Sequence, residues 1–125
     1  MTRIYLIIVS LIFIGYGVAS ALDPMLPARL AGLQIQSGDG YAEMGAMYGG
    51  LQTGFGLFCL MGAFRKSLQE PALMLLLICI GLVAALRAGS TLRADNLVSS
   101  YTWGALAFET LVTAIAAWLL LRRSS

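Results

Sequence analysis

The chain has 125 residues, 59% of them hydrophobic and 11% charged, with a formal net charge of +2 and a mean hydropathy of +0.85. So apolar a composition excludes an ordinary soluble globule, and cations that flank apolar runs instead of forming a tract exclude nucleic acid as a partner. Histidine is absent, and Cys59 and Cys79 form no C-x-x-C motif. No metal centre, disulfide framework or cofactor is therefore implied, and both thiols read as small packing residues.

Four apolar runs follow one another, at about residues 4–22, 43–64, 71–87 and 101–121. Each approaches the ~20 residues that a helix needs to cross a bilayer core, and a helix satisfies its own backbone in lipid. The expected fold is all-α, a single-domain integral membrane four-helix bundle over residues 1–125. The first run has a second reading. Arg3, an apolar stretch and Ala19-Ser20-Ala21 together look like a secretory signal with its cleavage site.

The loop 23–42 carries Pro24, Pro27, Leu30, Leu33 and Ile35, then the breaker Ser37-Gly38-Asp39-Gly40. It reads either as a short helix lying on the outer leaflet or as an irregular loop. The second run opens near Tyr41 and Glu43. It holds Gly45, Gly49, Gly50 and Gly54, two G-x-x-x-G spacings on different faces that suit close helix packing. Tyr48 and Gln52, one turn apart, need hydrogen-bond partners in lipid or line a cavity. A polar turn, Arg65 to Glu70, leads to Pro71, a residue suited to the first turn of the third helix. Asp95-Asn96 marks the next turn, and Ser99 or Ser100 is a candidate N-cap for the fourth helix.

Alternating the helices puts Arg3, Arg65, Lys66, Arg122 and Arg123 on one side, and Arg29, Arg87 and Arg93 on the other. The bias places both termini in the cytoplasm.

Glu43, Arg87 and Glu109 are the ionisable residues inside otherwise apolar runs. Charges there are costly and mark sites by default. Glu109 falls six residues beyond Trp103, roughly 9 Å deeper at 1.5 Å per residue, so all three are expected in the outer third of the membrane. The cluster Glu43, Tyr48, Gln52, Arg87 and Glu109 reads either as an ion-pair staple that fixes helix order or as a polar pocket open to the outer leaflet.

The run Glu43-Met44-Gly45-Ala46-Met47-Tyr48-Gly49-Gly50 resembles the signature of a domain-of-unknown-function family of small bacterial four-span membrane proteins, DoxX-like in architecture. Asp23-Pro24, Leu86-Arg87, Asp95 and Glu109 extend the resemblance over nearly the whole chain. The family pattern has an arginine where this chain has Gly45. The resemblance implies a multi-pass protein of the bacterial inner membrane and supplies no activity.

Three functions stay open. One is an accessory or binding protein that holds a lipid, a quinone or another small amphiphile, or packs as a homo-oligomer or as a subunit of a larger membrane complex. The next is a small proton-coupled transporter with Glu109 as its proton site. The last is a membrane enzyme with Glu43, Tyr48 or Glu109 as acid or base, a reading weakened by the absence of histidine and paired thiols.

Overall fold

The computed structural model describes residues 1–124, and among them every regular element is helical. In chain order these are α1 (Thr2–Leu22), α2 (Met25–Ala31), α3 (Gly38–Met44), a π-helical stretch (Gly45–Leu51), α4 (Gln52–Phe64), α5 (Lys66–Leu75), a second π-helical stretch (Leu76–Ile80), α6 (Gly81–Arg93) and α7 (Ser100–Ser124). The π-helical stretches do not interrupt their rods: helix runs unbroken over residues 38–64 and over 66–93. The chain divides into two compact units, Met1–Leu68 and the residues from Gln69 onward.

Among the described residues, three helices are long and apolar enough to cross a membrane: Thr2–Leu22, Lys66–Arg93 and Ser100–Arg123. Their length and composition mark a membrane protein. The rod over 38–64 is not among them, because its glycines, Tyr48 and Gln52 dilute its apolar character. Large apolar side chains stand exposed along the helices, Ile4, Ile8 and Leu11 on α1 and Leu82 and Leu86 on α6 among them. In water such a surface would be a liability; in a bilayer it is the lipid-facing side.

In the first unit α1 packs along the 38–64 rod through its smallest residues. A methyl group added at Gly56 would stand 2.6 Å from Ile14 Cγ1 and 2.9 Å from the Ser10 carbonyl oxygen, and one at Gly17 would stand 2.6 Å from the Thr53 backbone nitrogen. A methyl added at Gly49 would likewise stand 3.0 Å from the Ala21 Cα. Backbones this close gain dispersion contacts that lipid cannot offer a bulkier pair. Phe13 meets Phe55 edge to face beside this seam, with ring centroids 6.1 Å apart.

Element boundaries depart from the sequence reading at three places. The Ser37-Gly38-Asp39-Gly40 stretch starts a helix instead of breaking one. Ser37 Oγ accepts the Gly40 N–H at 3.2 Å, and Asp39 sits in the first turn, where the helix dipole favours an acid. The polar turn after α4 contracts to Arg65 alone, which is extended at φ −118°, and α5 begins at Lys66 with Pro71 inside it. Lys66, Leu68, Gln69 and Glu70 are good helix formers, so polarity there does not mean loop. The same rod runs on past Arg87 to Arg93. Ser99 precedes α7 as expected, its carbonyl accepting the Thr102 N–H at 3.2 Å.

The loop between α1 and α3 does contain a short helix, α2. Asp23 starts it by accepting the Met25 N–H on Oδ1 at 3.1 Å. Gly32 ends it in the left-handed region at φ 70°, with Leu33 N–H bonded to the Ala28 carbonyl at 2.8 Å, a Schellman closure that favours glycine.

Candidate functional site

The second unit brings two of the sequence-selected charges into one bond. Arg87 lies six residues before the end of α6 at Arg93, about 9 Å along the axis, and Glu109 lies nine residues after the start of α7 at Ser100, about 14 Å along. Close approach of the two helices permits the meeting. A methyl at Gly81 would come within 3.1 Å of Thr113 Cγ2, so glycine there lets the rods draw together.

The pairing is side-on and bidentate. Arg87 Nε donates to Glu109 Oε2 at 2.8 Å, and Arg87 Nη2 donates to Oε1 at 2.7 Å. Both carboxylate oxygens are therefore engaged by one planar fork, the strongest geometry that this ion pair can adopt. Burial is unequal: the Arg87 side chain is 29% accessible and that of Glu109 is 11%. The acid is enclosed and the cation is partly accessible. One turn on, Thr113 Oγ1 donates to the Glu109 carbonyl at 2.8 Å, which satisfies a hydroxyl that would otherwise be costly in lipid.

Glu43, Tyr48 and Gln52 belong to the first unit. Glu43 is exposed on α3, and Gln52 is half-buried at the start of α4. Tyr48, in the π-helical stretch, meets Tyr16 of α1 edge to face with centroids 6.4 Å apart. Among the glycines singled out for packing, Gly49 is the one pressed on α1. Gly45 is 3.6 Å from the Pro24 ring, measured from an added methyl, and Gly50 and Gly54 meet nothing within 4 Å.

Two features are not evident from residue types alone. Ser20, part of the cleavage-like Ala19-Ser20-Ala21, is fully buried within helical α1, and its Oγ has no hydrogen-bond partner among the described residues. At the loop, Arg29 Nη2 donates to Asp23 Oδ2 at 2.6 Å. That hydrogen bond from Arg29 is the main reason the Asp23 carboxyl is held below its ordinary value of 3.8. The signal that could have found it is an acid that caps a short helix and a cation six residues later, on the helix's last turn.

A family model described as a domain of unknown function (DUF4345) matches residues 1–120. The chain belongs to this family. Comparison with curated proteins finds no match, and neither does comparison with solved structures. For this DUF4345 chain, then, function has to be argued from the Arg87–Glu109 pair and the helices that hold it.

Proposed function

We propose that the protein is a four-span, multi-pass protein of the bacterial inner membrane, with both termini cytoplasmic, and that it holds the headgroup of a lipid or other small amphiphile at Arg87 and Glu109, toward the outer leaflet. The carrying observation is the asymmetry of the pair: an enclosed carboxylate, bonded through both oxygens, presents a partly accessible guanidinium. A charge in hydrocarbon is tolerated when paired, and a cation that is neutralised yet accessible suits an anionic or hydrogen-bond-accepting headgroup. The excess of basic residues on the Arg3, Arg65–Lys66 and Arg122–Arg123 side supports the orientation. A rod of 27 residues over 38–64, about 40 Å long, has the length for a fourth crossing.

The same geometry weighs against a proton carrier. Both Glu109 oxygens are held by one guanidinium within a largely enclosed pair, whereas a carrier's carboxylate has to be open to the path it serves. It also weighs against a general acid or base, since both carboxylate oxygens already accept a guanidinium N–H within the pair.

Native mass spectrometry of the full chain, extracted in mild detergent, tests the reading. The wild type is expected to carry a bound amphiphile that the uncharged, apolar pair Arg87→Met/Glu109→Met loses. Equal retention by both proteins, or a bare wild type, would remove the site.

A further inference from the structure

We infer that the first unit carries a second lipid site, at its basic end, which binds the phosphodiester headgroup of an anionic phospholipid. This site stands apart from the Arg87–Glu109 reading and does not depend on it. The antiparallel packing of α1 on α4 brings the first turn of one helix beside the last turn of the other. Arg3 lies with its guanidinium carbon 4.8 Å from the centroid of the Phe64 ring, and Arg65 and Lys66 follow Phe64 directly, all three cations exposed.

Residues 1–22 and 44–68 contain neither Asp nor Glu, and the acid that follows in sequence, Glu70, comes one turn after Lys66 on α5. Among the described residues the ion pairs lie elsewhere, Asp23 with Arg29 and Glu109 with Arg87. The Phe64 face steadies Arg3 without consuming its N–H groups, which leaves them for phosphate oxygens. Immediately inward of the cations the surface turns apolar, with Ile4 and Ile8 on α1 and Leu57 and Met61 on α4 exposed. Charge at the rim and exposed aliphatic chains below it match a molecule with a phosphate head and acyl tails, which neither a nucleic acid nor an acidic peptide reproduces. The second unit repeats the device at Arg122, whose guanidinium carbon is 4.3 Å from the centroid of the Trp118 ring.

The test is native mass spectrometry of the full chain with added phosphatidylglycerol or phosphatidylcholine. The wild type is expected to retain phosphatidylglycerol preferentially. Replacing Arg3→Gln, Arg65→Gln and Lys66→Gln should weaken that retention by about fivefold per cation removed, with phosphatidylcholine unaffected. Arg3→Lys/Arg65→Lys, which keeps the charge, should keep most of it. Excess inorganic phosphate should not displace the lipid. No preference in the wild type, full retention by the neutral variant, or displacement by phosphate alone would each overturn the site. The wild-type preference and the lysine variant decide the matter even if the triple variant does not fold.

Discussion

Arg87 and Glu109 were legible in the sequence because an ionisable residue in an apolar run is conspicuous, and because a guanidinium on a long stem can reach a carboxylate on the next helix. What residue types alone could not give was the stoichiometry. One fork engages both oxygens of Glu109. The energetic consequence follows from burial. Exposed pairs contribute about 0–1 kcal/mol and breaking fully buried ones costs about 3–5 kcal/mol. Glu109→Gln is therefore expected to cost about 2–3 kcal/mol in reversible unfolding in detergent, and the double replacement Arg87→Met/Glu109→Met should recover most of the loss. The Asp23–Arg29 bond makes a different prediction. Its folded carboxyl titrates below the unfolded value of 3.8, so its contribution is complete above that value and disappears as pH falls through the folded one. Asp23→Asn should flatten the acid limb of the stability profile between those two values, seen by far-UV circular dichroism during acid titration.

Helices as elements were readable where apolar runs are long, and their ends were not. Ser37-Gly38-Asp39-Gly40 carries residues that serve equally as turn and as N-cap, and only the run of helix behind it decides between them. Lys66 to Glu70 is polar but strongly helix-forming, so the connection shrinks to Arg65. Which glycines pack was hidden for a related reason. Spacing shows that small residues share a face, but the partner helix chooses the face. The seam uses Gly49 and Gly56, seven residues apart, with Gly17 opposite on α1. Gly56→Ala should therefore destabilise the α1–α4 packing by about 1–3 kcal/mol, because the clash includes backbone atoms. Gly50→Ala, whose new methyl meets nothing within 4 Å, should be neutral or stabilising by up to about 1 kcal/mol. Thermal or detergent-induced unfolding of the two variants, compared side by side, checks both values.

At the scale of the whole molecule, charge and apolarity are sorted. Exposed aliphatics line the helices, a cation stands over an aromatic ring in each unit, Arg3 on Phe64 and Arg122 on Trp118, and a paired acid and base lie between α6 and α7. Length and hydropathy announced the membrane character from the start; the role of the interrupting pair needed its geometry. The most direct measurement of that role is photo-crosslinking in proteoliposomes, using a phospholipid with a diazirine in its headgroup and peptide-level readout. Labelling is expected within one helical turn of Arg87 or Glu109 and is expected to vanish in Arg87→Met/Glu109→Met. Headgroup labelling that leaves both neighbourhoods at background in the wild type, or that persists there after the pair is replaced, would contradict it.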